Sequence, residues 1–307
     1  MTGGNNTNVY TIRRIDPVNV GDMNVLYEAV YKKRIHSAHF QRMLAPLYTG
    51  IEYVGLIAYD TNGKPVASLC LVPCFIADKH KKILAAQLTD GMTHPEHRKE
   101  GLFTKLIDGI ILLAKENGIQ FIFGFPNQDA APVLLKAGLE KLHTMDRFMI
   151  PLYGPFERLF NLRRVRHLPF ERGMALSTEN GFANPAIKEG FAGVVRNADY
   201  FNYIGFRNTL IQSVGSAKAW ISVRSNLAIG DMEIEENNFK EMISKLRSIG
   251  RMARVKKMYF QSSPGTKLHT LFSKYYIPVP SFSILYKNLG PDKVDHIRFS
   301  FADIDVF

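Results

Sequence analysis

Residues 89–104 read TDGMTHPEHRKEGLFT. An apolar run, ILAAQL (Ile83 to Leu88), leads in, and LFTKLIDGIILLAKEN (Leu102 to Asn117) leads out. The order is strand, tight basic loop, helix. Pro95 has no ladder N–H to give, so the strand is expected to stop near Thr93. Gly101 stands just before the helix, where close backbone approach or a positive φ is cheapest. From Leu102 onward, Phe103, Leu106, Ile107, Ile110, Ile111 and Ala114 share one broad helical face. The first N–H groups of such a helix have no partner inside it. With the macrodipole they make a seat for an anion, and a pyrophosphate suits it. Arg98 and Lys99 add positive charge at that end. The plainer alternative is an ordinary strand–loop–helix connection with basic surface residues.

The nucleoside-triphosphate pattern GxxxxGK[ST] is not present, and no GxGxxG follows a strand. The segment Arg98-Lys99-Glu100-Gly101-Leu102-Phe103 instead resembles the R/Q-x-x-G-x-G/A signature of the GNAT acetyltransferase superfamily. That resemblance implies that the backbone amides of Arg98 to Thr104 hold the pyrophosphate of acetyl-CoA. Phe103 departs from the pattern, which has Gly or Ala there, and is expected to reshape the groove. A second stretch, FPNQDAAPVLLKAGL (Phe125 to Leu139), resembles the superfamily's other cofactor motif. It would place Asn127 against the pantetheine arm or the thiol end. In the family pattern a Tyr protonates the leaving thiolate; that position falls here on about Leu134.

The elements around these motifs follow the same order. Val9 to Arg13 reads as a strand, and Val20 to Leu44 as helix broken near His36. Three antiparallel strands, Glu52 to Asp60, Pro65 to Asp78 and Ile83 to Thr93, precede the loop. Asn62-Gly63 between the first two suggests a type I′ turn. After the helix come a buried strand (IQFIFGF, from Ile119), a short helix (Asp129 to Lys136) and a closing strand or two from Leu139 to Leu152.

Beyond a basic connector the order returns. DGMTHPEHRKEGLFTKLI aligns with GDMEIEENNFKEMI, and IFGFPNQDAAPVLLKAGL with MYFQSSPGTKLHTLFSKY, a weak internal repeat. Ten residues separate Met92 from Phe103, but only six separate Met232 from Phe239. The shorter connection has no Arg or Gly and carries Glu233, Glu235 and Glu236, which would repel a pyrophosphate. The expected class is therefore α/β (α+β), with two GNAT-like domains in tandem, each a mixed, mainly antiparallel sheet flanked by helices. Their bounds are set at 1–152 and 175–307, joined by the connector 153–174, and the second copy is expected to lack the CoA site. The tail HIRFSFADIDVF reads as a final strand or docked segment, with Asp303 and Asp305 as acids that could reach a cleft.

Composition sets outer limits. At 307 residues and 46% hydrophobic content the chain can build full cores. No apolar run approaches the ~20 residues of a membrane span, and the polar N-terminus lacks a signal peptide's apolar stretch, so the default expectation is a cytoplasmic protein. Basic residues number 17 against 14 acidic in residues 1–150 and 22 against 14 in the rest. That surplus suits an anionic acceptor or tRNA, or is simply a solvated surface. Cys70 and Cys74 are too few for a structural zinc site, and no metal is expected; buried free thiols fit them better.

The resemblance implies acyl transfer from acetyl-CoA to a small-molecule acceptor, most often an amine or amino sugar. Met92 is the expected source of the amide that polarises the thioester oxygen, with Thr93 beside it. Asp90 is the nearest acid on the fourth strand and the one nominated as base, although a turn carboxylate is an equal reading. His94 and His97 flank the loop, at the surface or against the cofactor. Two other functions stay open: an aminoacyl transferase resembling the Fem family, which takes its acyl group from charged tRNA, and a non-catalytic acyl-CoA-binding module.

Overall fold

The computed structural model describes residues 9–79, 81–153, 182–207, 209–291, 293–305 and 307. The 153–174 connector lies almost wholly outside them. The order is β1 (Thr11–Arg14), α1 (Asp22–Tyr31), α2 (His39–Met43), β2 (Gly55–Tyr59), β3 (Pro65–Asp78), β4 (Lys81–Thr93), α3 (Leu102–Glu116), β5 (Phe121–Gly124), α4 (Ala130–Lys136) and β6 (Glu140–Ile150). Then follow α5 (Pro185–Lys188), β7 (Gly193–Val194), α6 (Ala198–Ile204), β8 (Thr209–Val214), β9 (Ala217–Val223), β10 (Leu227–Glu233), α7 (Glu236–Met252), β11 (Met258–Ser262), α8 (Lys267–Ser273) and β12 (Pro278–Asn288).

The described residues divide into two compact units. Unit 1 takes in the chain to Phe75, Lys82–Leu142 and Ile284–Val294; unit 2 takes in Ile76–Lys81, His143–Ser283 and Asp295–Phe307. In unit 1 the strands run β1-β2-β3-β4-β5, and the end of β12 is hydrogen-bonded to β5. Leu285 stands opposite Gly124 and Asn288 opposite Phe121, antiparallel. There β4 and β5 are parallel, joined through α3. In unit 2, β11-β10-β9-β8 are consecutive neighbours, β6 pairs antiparallel with β11 through Asp146 to Ile150, and β10 and β11 are the parallel pair.

Each parallel pair is bridged by a long amphipathic helix whose apolar stripe sets the packing. From α3, Leu102, Leu106, Ile107, Ile110, Leu113 and Ala114 are buried against Leu56, Val66, Leu69, Ala86 and Ile122. From α7, Phe239, Met242, Ile243, Leu246 and Ile249 meet Ile221, Leu227, Ile229 and Phe272. Each such large side chain contributes about 1.5–3 kcal/mol when fully buried. That burial, more than helix propensity, fixes where each helix starts.

Two local expectations change. The Asn62-Gly63 turn has positive φ only at Gly63 (+75°), whereas type I′ needs it at both residues. The Asp60 carboxylate takes the N–H groups of Asn62 and Lys64, both at 2.9 Å, and so organises a longer loop. Strand β8 lies in a stretch where no strand is expected from the residue pattern.

Candidate functional site

The β4–β5 pairing runs from Ala85↔Phe121 to Leu88↔Gly124. There β5 ends, and β4 continues alone on that side from Thr89 to Thr93. Asp90 interrupts the extension with φ +49°, an uncommon conformation for a residue with a side chain. Such strained positions persist only where their surroundings hold them. Here the Ser68 hydroxyl donates to the Asp90 carbonyl oxygen at 3.0 Å, and the Thr89 hydroxyl donates to its carboxylate at 3.3 Å. Met92, next but one, is 1% exposed, and Thr93 ends the strand half-buried.

The chain then leaves the sheet. The His94 N–H donates to the Val66 carbonyl at 2.8 Å, the last tie to β3. A 3-10 turn follows at Pro95–His97, and the Tyr10 hydroxyl lies 3.0 Å from His97 Nδ1. Two left-handed residues come next, Lys99 at φ +66° and Gly101 at φ +72°. They turn the backbone into the first turn of α3, whose N-cap, Gly101, supplies no side-chain cap. The amides of Leu102, Phe103 and Thr104 therefore open the helix without a side-chain oxygen from the cap. A Cβ built on Gly101 meets nothing within 4 Å, so the space before the loop is open. Arg98, Lys99, Glu100 and Thr104 are exposed around it, with Arg98 Nε 3.4 Å from the Thr93 carbonyl. Uncapped amides, open space and two cations suit a diphosphate.

Phe103, the departure from the pattern, has a specific counterpart. A Cβ on Gly91 would stand 2.9 Å from Phe103 Cε2 and 3.3 Å from Leu69 Cδ1. The strand gives up a side chain where the helix carries a ring. This pairing, the Ser68 and Tyr10 contacts and the left-handed conformations of Asp90 and Lys99 were missed from the sequence. The Gly91/Phe103 pair alone left a trace there, as a small residue and a large one in inverted places.

Asn127 follows β5, but its side-chain oxygen accepts from the N–H groups of Asp129 (3.1 Å) and Ala130 (2.9 Å), so it caps the start of α4. Only its amide nitrogen is left over from that task for a ligand. Leu134 is 2% exposed in the core of unit 1 and has no proton to give. Asp303, one of the two acids that could have reached a cleft, is 5% exposed and paired with Arg196 at 2.8 Å. Both cysteines are buried free thiols. Among the described residues, no group of three or more His, Cys, Asp or Glu side chains gathers to hold a metal. Among them too, no helix is long and apolar enough to cross a membrane.

Residues 11–140 match the family model described as an acetyltransferase (GNAT) domain. The match covers β1 through the start of β6, including the kinked strand, the loop and α3. No curated protein sequence matches the chain. Solved structures show a common fold at low identity. A probable N-acyltransferase from Enterococcus faecalis aligns with a TM-score of 0.61 at 11% identity, over 92% of this chain and 73% of that one. A putative acetyltransferase from Pyrococcus horikoshii gives 0.55 at 11%, over 97% and 95%. The Saccharomyces cerevisiae N-myristoyltransferase with bound myristoyl-CoA gives 0.55 at 10%, over 90% and 82%. The stretch that bears the loop thus matches the model of a GNAT acetyltransferase domain, and the solved structures share its fold.

Proposed function

We propose that the protein moves an acetyl group from acetyl-CoA to the amine of a small acceptor, at the open end of β4. The observation that carries this is the pair of left-handed residues, Lys99 and Gly101, ahead of an uncapped 15-residue helix. The amides of Arg98 to Thr104 take the diphosphate and fix the thioester near the end of β4. The Met92 N–H polarises the thioester oxygen as charge develops on it. The amine nitrogen attacks the carbonyl carbon, the carbon–sulfur bond breaks, and the thiolate leaves and takes up a proton. An ammonium is no nucleophile, so its proton must first go to a base. Asp90, held at the kink, is the acid on this chain assigned to receive it, directly or through water. Leu134 cannot supply the thiolate's proton, so solvent does.

The reading extends to the architecture. Unit 2 repeats the parallel pair joined by an amphipathic helix, which supports a second, degenerate copy of the same fold. Its connection from β10 to α7 is two residues long, Ile234 and Glu235, too short for the two left-handed turns that shape the loop in unit 1.

Calorimetry with CoA tests the proposal, followed by acetyl transfer to a panel of amines. Wild type is expected to bind CoA. Gly101→Asp is expected to weaken binding about a hundredfold or more, because it adds a negative charge and strains a left-handed residue. Arg98→Ala should cost about tenfold. Undiminished CoA binding in Gly101→Asp would sink the assignment.

A further inference from the structure

Unit 2 contains its own parting of parallel strands. β10 and β11 pair only from Leu227↔Met258 to Ile229↔Phe260, and β10 then runs on to Glu233. Past that point lies a cavity of about 510 Å³ between the end of β10, the first turn of α7 and one face of α8. Met232, Ile234, Leu268 and Leu271 give it an apolar wall. Next to it, sharing Pro185, Glu189 and Leu268, is an inner chamber of about 20 Å³, room for one water-sized group. Ser262 lines this chamber. It is 2% exposed, and its hydroxyl has no hydrogen-bond partner. Buried hydroxyls are nearly always paired, so an unpaired one beside a cavity points to a ligand group that completes it.

The rim decides the ligand's charge. Glu189, Glu233, Glu235 and Glu236 face Lys188, Lys267 and Lys274 around the opening. Lys188 pairs with Glu233 at 2.8 Å and Lys274 with Glu236 at 2.6 Å, while Glu189 accepts from the Lys267 backbone N–H at 2.8 Å. Among the described residues, no ion pair engages the Lys267 ammonium or the Glu235 carboxylate, and both residues are exposed. The rim thus offers one ammonium and one wholly unengaged carboxylate, beside the Glu189 carboxylate, which a backbone N–H holds. A polyanion would face four carboxylates and a dication three ammoniums. A molecule carrying one charge of each sign meets neither penalty.

We propose that this cavity binds a small zwitterion of the amino-acid or dipeptide class. Its ammonium pairs with Glu235, its carboxylate with Lys267, and a hydroxyl or amide group enters the chamber to reach Ser262. The site belongs to unit 2 and is separate from the CoA loop.

A ligand-observed NMR titration of the full chain tests this, with glycyl-L-serine as probe and putrescine, succinate and CoA as comparisons. Glycyl-L-serine is expected to bind saturably and more tightly than putrescine or succinate. Glu235→Gln and Lys267→Gln, both exposed changes that leave the core alone, should each weaken it about tenfold. Ser262→Ala should weaken glycyl-L-serine but not glycyl-L-alanine. Gly101→Asp, expected to weaken CoA binding, should leave dipeptide affinity intact. No saturable dipeptide binding, equal binding of putrescine or succinate, or unchanged affinity in both Gln variants overturns the proposal. So does a joint loss of dipeptide and CoA binding in Gly101→Asp.

Discussion

Asp90 and Asp231 each stand just before a buried methionine, Met92 or Met232, near the end of the strand that feeds a long helix. The protein uses them in opposite ways. Asp90 is half-buried at φ +49°, held by the hydroxyls of Ser68 and Thr89. Asp231 is 3% exposed, 2.7 Å from Arg196, and its carboxylate also caps the Met232 N–H at 2.9 Å. Arg196 reaches Asp303 at 2.8 Å with the same guanidinium and donates to Ser300 at 2.9 Å. The connections that follow differ to match. Residues 94–101 form a loop with two left-handed turns, while β10 reaches α7 through two residues. One aspartate is half-buried at a kink in its strand; the other is part of the buried frame that holds the tail.

The largest effect should come from the clamped aspartate. Arg196→Met leaves two buried carboxylates without their cation, and breaking a buried pair in this way costs about 3–5 kcal/mol. Urea unfolding reads it directly. Burial already pushes the Asp231 carboxyl upward, against the pull of Arg196, so removing the arginine pushes it further. The triple change Arg196→Met, Asp231→Leu and Asp303→Leu is expected to recover most of the loss. An unaltered unfolding midpoint in Arg196→Met would mean that the aspartates are not charged partners, and the contrast with Asp90 would dissolve.

A pH titration probes unit 2 in another way. Burial, with Arg298 nearby and despite Asp146, holds the His143 imidazole at about 4 instead of 6.5. Ser263 Oγ lies 2.7 Å from His143 Nε2 and also accepts the Phe299 N–H at 2.9 Å. The hydroxyl is thus hydrogen-bonded to a neutral ring. Because the folded value is depressed, the contribution is fully present above pH 6.5 and is lost as pH falls towards 4. The expected loss by pH 4 is about 3 kcal/mol. Denaturant unfolding between pH 4 and 7.5 should show that slope, and His143→Gln should flatten it. Equal slopes in both proteins would refute the buried neutral histidine.

Much of unit 1 was legible because its signals are local. Pro95 and Gly101 bracket the loop, and the α3 stripe repeats at helical spacing. The α7 stripe placed the matching helix in unit 2 by the same means. What escaped notice depends on distant partners. Nothing in GLEKLHTMDRFMI says that Asp146 to Ile150 pairs with β11, or that Leu285 to Asn288 lies against β5. The apolar residues of a strand show that it packs on a core, but they cannot name its neighbour. Strand β8 has one fully buried residue, Thr209, so its pattern was too faint to read. Asp303 looked available as an acid in an aromatic tail; only Arg196, 107 residues away, reveals its role. The sequence motif assigns Asn127 to the pantetheine arm; only the structure shows that its side-chain oxygen holds the start of α4.

The smallest effect tests the inverted small–large pair, and the second unit supplies its reference. Gly230 precedes Asp231 as Gly91 follows Asp90, and each faces a ring. A Cβ on Gly230 would lie 2.3 Å from Phe307 Cζ, in a ring 1% exposed; a Cβ on Gly91 would lie 2.9 Å from Phe103 Cε2, in a ring half-buried at the start of α3. The buried ring has nowhere to go, so Gly230→Ala should cost about 3 kcal/mol, the upper end for overpacking. The Phe103 ring can yield, so Gly91→Ala should cost only about 1 kcal/mol. Its yielding has a consequence, because Phe103 contributes an amide to the first turn of α3 and ring and amide move together. Gly91→Ala should therefore weaken CoA binding several-fold, and adding Phe103→Ala should restore it. The cycle over the two positions is expected to show a coupling of about 1 kcal/mol in CoA affinity. If the two changes simply add, the ring does not govern the loop, and Phe103 is no more than a core side chain at an unusual place.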